Sequence, residues 1–397
     1  MTDTLPEAQP LPTTGAAGCP FDPPEEMAFR RPFSRLLYDD GHVGWLVTGH
    51  ALAREVLADP RFSSRRELMR IPFPGAGSRK LPPAPPGHLH GMDAPEHTRY
   101  RRQLIGRFTV RRMELLTARI EENVKDHLDA MAKQETPVDL VEAFTFPIAA
   151  LTICELLGVP RPDQESLHRE AKLLHSIDAA PEEVFAVVKS FNQRVSDLVT
   201  AKRADPTDDL LTDLTTTDFT DEELAGIGTV LMGAGLDSIS SMIALSVFAL
   251  LTNPDQLAAL REDPGLIDNA IEELLRYLTV EHTIVRTATE DIDLGGHLVK
   301  AGDSVTVSAH AANRDPERFA DPDAIDLRRG PGGHVAFGHG PHGCLGKELA
   351  RVELRAALSG LLTRFPTLRL AVAPEEVQVT TSANYSVHNL PITWDEA

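Results

Sequence analysis

The chain has 397 residues, of which 42% are hydrophobic, and a formal net charge of −20. This length and apolar content are enough for a large buried core. The negative charge argues against nucleic-acid binding, which requires a basic surface. Three cysteines are too few for a disulfide framework. Since no segment offers the roughly 18 uninterrupted apolar residues of a membrane-spanning helix, we expect a cytoplasmic protein that contacts neither membranes nor nucleic acid.

The first 18 residues are rich in proline, threonine and alanine. They contain neither the basic region nor the apolar stretch of a signal peptide. No linker-like stretch divides the rest of the chain. We therefore predict a disordered tail over residues 1–18 and a single domain over residues 19–397.

Helical periodicity dominates the pattern of apolar residues. A strand is expected within residues 41–47, followed by a helix that opens near Pro95. Apolar residues then recur every three to four positions, which predicts helices over residues 117–131, 181–202 and 220–251. Thr220 and Glu223 have the spacing of a capping box. Alternating segments predict short strands at 292–294, 298–299 and 305–307. The predicted fold is mainly α with small β-sheets.

One decamer carries most of the chemical information. It reads Phe337-Gly338-His339-Gly340-Pro341-His342-Gly343-Cys344-Leu345-Gly346, and a helical pattern follows over residues 347–365. At a helix N-terminus, unpaired N–H groups and the helix dipole favour a thiolate. A thiolate can be a metal ligand, or a nucleophile with His342 or His339 as base. The glycines allow a large planar group to lie against the backbone, which favours a haem.

This decamer resembles the cysteine-ligand loop of cytochromes P450, Phe-Gly-x-Gly-x-His-x-Cys-x-Gly, at every defined position. The resemblance covers nearly the whole chain and is strongest to soluble actinomycete enzymes that modify secondary metabolites. It implies the cytochrome P450 fold, one triangular domain around a buried haem b. It also implies that Cys344 is the iron ligand and that Phe337 and Gly346 bind the cofactor.

A second cluster of candidate residues lies on the helix near Pro95. His97 and Arg101 are four residues apart, and so share one helix face, where they could bind the anionic haem propionates. The resemblance adds Arg286 and His342 to this set. Six arginines without an acid lie between residues 99 and 112: Arg99, Arg101, Arg102, Arg107, Arg111 and Arg112. They indicate a solvated face or a docking patch for an acidic partner, and the resemblance favours docking of a ferredoxin.

The longest predicted helix carries Gly233-Ala234-Gly235-Leu236-Asp237-Ser238. Each glycine costs about 1 kcal/mol relative to alanine in a helix, so we expect a flat ligand to approach here and the helix to widen locally. The segment resembles the family's oxygen-activation motif, with Ser238 where threonine is usual. The resemblance implies that Asp237 and Ser238 deliver protons and that Ala234 and Gly235 bind the haem.

Glu273 and Arg276 are three residues apart, so they can form an ion pair on one helix face. The resemblance implies that Arg318 completes a structural triad with them, behind the haem.

Several segments are expected to form the wall of a substrate chamber. A lid is predicted over residues 63–90, which are rich in proline and glycine. The other wall residues are Leu231, Met232, Glu281, His282, Thr283, Ile284, Val285, Asn384, Tyr385, Ser386, Val387 and His388. Their mixture of apolar and polar side chains suits a large substrate with some polar groups.

The resemblance implies a monomeric monooxygenase that inserts one oxygen atom from O2 into a macrolide. Since no Rossmann-type dinucleotide-binding unit and no flavin domain appears in this chain, electrons should come from NAD(P)H through a ferredoxin reductase and a ferredoxin. Ser238 favours epoxidation of a C=C bond in a polyene macrolide, with hydroxylation of a polyketide C–H bond as the alternative. A haem sensor without turnover and a thiol hydrolase are the hypotheses from other classes.

Overall fold

The computed structural model describes residues 7–13, 19–28, 32–75, 80–164, 181–330, 332–381 and 384–395. The described chain is mainly helical with small sheets, as predicted. Its α-helices are α1 (Glu25–Ala28), α2 (His50–Ala58), α3 (Glu96–Ile105), α4 (Val110–Met131), α5 (Phe146–Leu157), α6 (Pro181–Ala204), α7 (Leu210–Thr215), α8 (Asp221–Thr252), α9 (Pro254–Glu262), α10 (Ile267–Leu278), α11 (Ala309–Ala312) and α12 (Lys347–Arg364).

The strands are short and form four small sheets. In chain order they are β1 (Phe33–Leu37), β2 (Val43–Val47), β3 (Phe62–Ser63), β4 (Val138–Asp139), β5 (Thr283–Ala288), β6 (Ile292–Leu294), β7 (His297–Val299), β8 (Ser304–Ser308), β9 (Arg369–Leu370), β10 (Val379–Thr381), β11 (Tyr385–Val387) and β12 (Pro391–Thr393). The largest sheet has five strands in the order β1-β2-β8-β5-β3, and β2 and β8 pair in parallel.

Helix α8 crosses the main core. Its first turn is held by the predicted capping box, in which Thr220 N donates to Glu223 Oε2 at 2.8 Å and Glu223 N donates to Thr220 Oγ1 at 3.2 Å. Helices α5, α6 and α12 pack against α8. Among the described residues, α8 alone is long and apolar enough to cross a membrane, but 72% of its most apolar window is buried inside the protein. It is therefore the central helix of the core.

The predicted helices and strands are found close to their expected bounds, except that α4, predicted over residues 117–131, already begins at Val110. The widening expected within α8 is absent, because α8 is a continuous α-helix from residue 221 to residue 252. A π-helical turn lies instead at Val141–Thr145, just before α5. Residues 7–13, which fall inside the predicted tail, pack on the domain: Leu11 is buried and Leu37 N donates to Gln9 O at 3.0 Å. The expectation of disorder therefore does not hold for this segment.

The predicted lid is anchored on α8 where the structure describes it. Its residues 76–79 lie outside the described residues. Gly87 and Gly226 meet backbone to backbone: a Cβ on Gly226 would strike the carbonyl oxygen of Pro86, and a Cβ on Gly87 would strike that of Glu223. Gly87 also has φ +81°, which favours glycine. This contact requires glycine at both positions.

Candidate functional site

The loop before Cys344 is shaped by short backbone contacts. Cys344 N donates to Phe337 O at 2.8 Å and Gly343 N donates to Gly340 O at 3.1 Å. Gly338 and Gly340 have φ of +65° and +70°, a region that other residues rarely adopt. A Cβ on Gly340 would also strike the backbone of α2 at Leu57 and Ala58. These glycines place Cys344 three residues before α12 begins, as the sequence predicts.

The Cys344 side chain is accessible, although protein surrounds much of it. Burial raises the pKa of its thiol above the ordinary value. The N–H of Gly346 and the charges of Arg101 and Lys347 act in the opposite direction, while Glu281 adds to the rise. These opposing effects do not offset the effect of burial on the pKa of the thiol. A metal cation would supply the missing stabilisation.

Accessible residues interrupt the buried helix α8. Gly233, Ala234 and Ser238 are accessible, whereas Met232 and Leu236 are 2% and 3% exposed. A Cβ on Gly233 would meet nothing within 4 Å. The middle of α8 therefore borders an open space inside the core.

Gly235 has a different role from the one expected. A Cβ built on Gly235 would lie 2.6 Å from Cδ1 of Ile153 in α5. At that distance Ile153 would have to shift to make room for a side chain, so glycine at this position allows α5 and α8 to pack closely. The structure thus gives Gly235 a packing role, and the side of α8 that faces open space belongs to Gly233 and Ala234.

Asp237 and Ser238 lie beside each other and have different hydrogen bonds. Ser238 Oγ donates to the carbonyl oxygen of Ala234, one turn earlier, at 2.7 Å. Asp237 Oδ2 accepts from Asn384 Nδ2 at 2.9 Å. Asn384 precedes β11, 147 residues along the chain. The predicted proton-delivery pair is therefore in contact with the predicted substrate wall.

Four basic side chains converge near the cysteine loop. The rings of His97 and His342 stack with centroids 4.0 Å apart. Arg101 Nη2 donates to Gly343 O at 2.5 Å and Arg286 Nη1 donates to Val285 O at 2.9 Å. The structure thus brings together all four residues that the sequence assigned to propionates.

Burial disfavours the charged forms of the residues in this cluster. It lowers the pKa of Arg286 to about 10, although Glu281 and Asp93 oppose this shift. Burial also lowers the pKa of Arg101 and of His97. The pKa of His342 falls to about 3, mainly through burial and then through His97 and the two arginines. A bound anion would stabilise the charged form of each group.

The buried ion pair of α10 is present, but its third member differs from the prediction. Arg276 Nε donates to Glu273 Oε2 and Arg276 Nη2 donates to Glu273 Oε1, both at 2.8 Å. Arg329 Nε donates to Glu273 Oε1 at 3.1 Å. Arg318 points elsewhere, and its Nη2 donates to Gly332 O at 3.1 Å. The assignment of Arg318 to the triad is wrong, since Arg329 occupies that place.

The predicted chamber wall is only partly open. Leu231, Glu281, His282, Thr283, Ile284, Asn384 and His388 are partly or fully accessible, whereas Met232, Val285, Tyr385, Ser386 and Val387 are buried. The ring of Tyr385 lies 4.7 Å from that of His282, which in turn lies 5.1 Å from that of His310. Burial lowers the pKa of His282 to about 4. Tyr385 therefore faces a buried aromatic cluster and not an open chamber.

Known proteins resemble this chain along nearly its whole length. The family model described as Cytochrome P450 matches residues 165–391. "Cytochrome P450 105C1" of a Streptomyces species is 46% identical over 381 residues, which is 94% of this chain and 96% of that protein. This chain belongs to the cytochrome P450 family.

Solved P450 structures agree with this assignment. CYP105P1 in complex with filipin I has a TM-score of 0.89 and 37% identity, covering 98% of this chain and 100% of the other. GfsF has a TM-score of 0.90 and 39% identity, covering 98% and 100%. The expected P450 fold is therefore confirmed, and the chain is a P450 monooxygenase, a class that uses haem iron, O2 and electrons from a redox partner.

The residues present fit a haem. Cys344 offers an accessible sulfur atom, Gly233 and Ala234 leave one face of α8 free of bulk, and burial disfavours the charged forms of the four basic residues. A planar dianionic group with a metal centre would satisfy all three features. Cys344 would hold its metal, and the basic cluster would hold its carboxylates.

The arginine-rich segment of this P450 is mostly paired within the chain. Arg99 contacts Glu223 at 2.5 Å, Arg111 contacts Asp208 at 2.7 Å, and Arg112 contacts Asp213 at 2.9 Å. Within the described ranges we find no ion pair for Arg102 or Arg107. The sequence, which shows no acid between residues 99 and 112, cannot reveal these partners, because they lie in the α6–α8 region.

An open groove lies on the outer face of the cysteine loop of this P450. It has a volume of about 290 Å³ and is lined by residues that include Arg101, Gly343, Cys344, Lys347 and Arg351. Arg351 Nε forms an ion pair with Glu272 Oε1 at 2.6 Å. The groove brings a partially basic surface directly to the backbone of Cys344.

Proposed function

We propose that this P450 binds haem b and inserts one oxygen atom of O2 into a secondary metabolite. The observation that supports this most strongly is the accessible sulfur of Cys344 on its glycine-rich loop, together with the accessible Gly233, Ala234 and Ser238 of α8. In this proposal residues 19–397 form one catalytic domain, and the segment 7–13 packs on it.

The residues of the chain have separate tasks in this proposal. Cys344 Sγ binds the iron, and His97, Arg101, Arg286 and His342 bind the two propionates. When bound, the haem supplies the activation of O2 and the transfer of one oxygen atom. Asp237 takes up protons from solvent at its carboxylate and passes them into the chamber, where the Ser238 hydroxyl orients water. Two electrons and two protons enter per turnover, one oxygen atom goes to the substrate, and the other leaves as water.

The favoured reaction is epoxidation of a C=C bond in a polyene macrolide. Filipin I is bound in the P450 structure described above, and the accessible wall residues mix apolar and polar groups. Serine lacks the β-methyl group that restricts threonine at χ1, so Ser238 should control proton delivery less tightly. An electron-rich alkene tolerates that change better than an unactivated C–H bond. Hydroxylation of a polyketide C–H bond is the second candidate.

Electrons are proposed to come from NAD(P)H through a ferredoxin reductase and a small acidic ferredoxin. The groove beside Cys344, which Lys347 also lines, supports docking here, as do Arg102 and Arg107, for which the described ranges show no ion pair. Because several arginines are already paired with acids of the chain, the patch is smaller than the sequence suggests. We propose a monomer located in the cytoplasm.

The absorption spectrum of the reduced, CO-bound protein tests the haem assignment. A strongly red-shifted Soret band is expected for the wild-type protein and for Cys19→Ser and Cys154→Ser. It should disappear in Cys344→Ser, since Cys344 is the exposed cysteine, whereas Cys154 is buried and Cys19 is half-buried. Retention of the band in Cys344→Ser would refute the ligand assignment, and a correctly folded wild type without the band would favour a thiol hydrolase.

Reconstituted turnover tests the reaction. The protein is incubated with ferredoxin, ferredoxin reductase, NADPH and a polyene macrolide that contains an isolated enoate double bond, beside its saturated analogue. We expect an epoxide of the polyene by mass spectrometry and NMR. If the saturated analogue is converted to an alcohol while the alkene of the polyene stays intact, hydroxylation and not epoxidation is the favoured reaction. Absence of NADPH consumption with a bound substrate would favour a sensor.

A further inference from the structure

Asn384 makes two connections that join the substrate wall to helix α8. Its backbone pairs with that of Glu281 in an antiparallel bridge, and the next residue, Tyr385, donates its N–H to Val280 O at 2.8 Å. Its side chain reaches in the other direction, to Asp237 Oδ2 at 2.9 Å. Asn384 thus lies between the segment that enters β5 and the acid of α8.

The chemistry of the two side chains determines the direction of this hydrogen bond. A carboxylate oxygen accepts hydrogen bonds, so the amide nitrogen is the end of Asn384 that fits Asp237. The neighbouring Ser238 hydroxyl donates to Ala234 O at 2.7 Å and so directs its proton to the helix backbone. The orientation of the Asp237 carboxylate therefore matters more for proton delivery than that of the Ser238 hydroxyl.

We propose that Asn384 is a positioning residue for Asp237: its amide holds the carboxylate in the orientation that delivers protons, and so couples proton delivery to the wall that contacts substrate. This proposal rests on the proposed monooxygenase function. Productive oxidation, and not substrate affinity, should depend on this amide.

Turnover of two matched variants tests the positioning role. Asn384→Leu removes the donor at similar volume, and Asn389→Leu makes the same change at an exposed position five residues later. In Asn384→Leu we expect product formed per NADPH consumed to fall by about fivefold, which corresponds to the loss of one hydrogen bond, and hydrogen peroxide to rise. The substrate dissociation constant from the Soret shift and the melting temperature should match those of Asn389→Leu.

A second measurement detects the contact itself and requires no turnover. The chain has seven asparagines, so asparagine-selective 15N labelling of the ferrous CO-bound holoenzyme gives a small set of side-chain amide signals. The Asn384 pair is the one lost in Asn384→Leu. In Asp237→Asn it should move and exchange faster with solvent.

These measurements separate the possible outcomes. An Asn384 amide signal that does not respond to Asp237→Asn would overturn the proposal, because the contact would be absent. The proposal would also be overturned if the signal responds but Asn384→Leu forms as much product per NADPH as the wild type, because the contact would then have no positioning role. Failure of the proposed function would appear separately, as a wild-type protein without the red-shifted CO band.

Discussion

Arg329 Nε lies 3.1 Å from Oε1 of Glu273, a carboxylate that also accepts two hydrogen bonds from Arg276. The Glu273 side chain is 1% exposed and that of Arg329 is 17% exposed. This geometry makes a buried carboxylate shared by two guanidinium groups. Arg329 further links the region to the loop at Ala320 and Asp321 through its other nitrogens.

Arg329→Ala should destabilise the protein strongly, because it leaves part of a buried charge without its partner, a change that typically costs about 3–5 kcal/mol. Arg318→Ala is the matched control, since Arg318 is outside the triad. We expect a fall in melting temperature and in haem content for Arg329→Ala and a small change for Arg318→Ala, measured by thermal unfolding and by the haem-to-protein absorbance ratio. Equal losses in the two variants would contradict the triad found here.

Charge reversal tests the docking surface. Arg102→Glu should slow ferredoxin-supported reduction by about threefold to tenfold and flatten its salt dependence, because attraction between opposite charges is screened over about 8–10 Å at moderate ionic strength. Arg111 is already paired with Asp208 at 2.7 Å, so Arg111→Glu should have a smaller effect. Stopped-flow reduction rates across a salt series provide the comparison. Equal effects of the two changes would argue against a localised patch.

Glu353 makes stability depend on pH. It is buried in α12, and its Oε1 has no hydrogen-bond partner among the residues that the structure describes. Burial raises its pKa from 4.5 to about 8, against a smaller opposing effect of Thr152. Because the folded-state pKa is the higher one, the stability contributed by the neutral acid is fully present below about pH 4.5 and is lost as the pH rises through 8. Glu353→Gln should therefore melt with the wild type near pH 5 and several degrees above it at pH 9. The control is Glu348→Gln on the exposed face of α12, whose melting temperature should follow that of the wild type at every pH. If the melting temperature of Glu353→Gln also runs parallel to that of the wild type, Glu353 is not the source of the pH dependence.

The contact between Gly87 and Gly226 predicts opposite effects for two glycine substitutions in α8. Alanine improves helix propensity by about 1 kcal/mol at either position. At Gly233 the added Cβ meets no protein atom within 4 Å, so Gly233→Ala should stabilise the haem-free protein. At Gly226 it strikes the carbonyl oxygen of Pro86, so Gly226→Ala should displace the lid segment. Melting temperature and hydrogen exchange over residues 80–91 distinguish the two cases, and unchanged exchange in Gly226→Ala would show that the contact is dispensable.

Local patterns made part of this molecule predictable. The cysteine loop depends on glycines within one decamer, and the capping box of α8 depends on two residues three apart. Helix α5 could not be recognised by periodicity, since it is apolar on nearly all sides and a buried helix has no polar face. The role of Gly235 depends on Ile153, and that of Arg329 on Glu273, and no local pattern reports such distant contacts. The partners of Arg99, Arg111 and Arg112 were missed for the same reason.

The segment at residues 7–13 protects an edge of the five-stranded sheet. Strand β1 is the last strand on its side, and its outer backbone would offer free hydrogen-bond donors and acceptors to another chain. Gln9 pairs in parallel with Leu36 of β1, and Leu11 is 3% exposed beside it. Unprotected edge strands promote association between molecules. Recombinant forms of this enzyme that lack residues 7–13 should therefore aggregate more readily than the full chain, even where the haem pocket is intact.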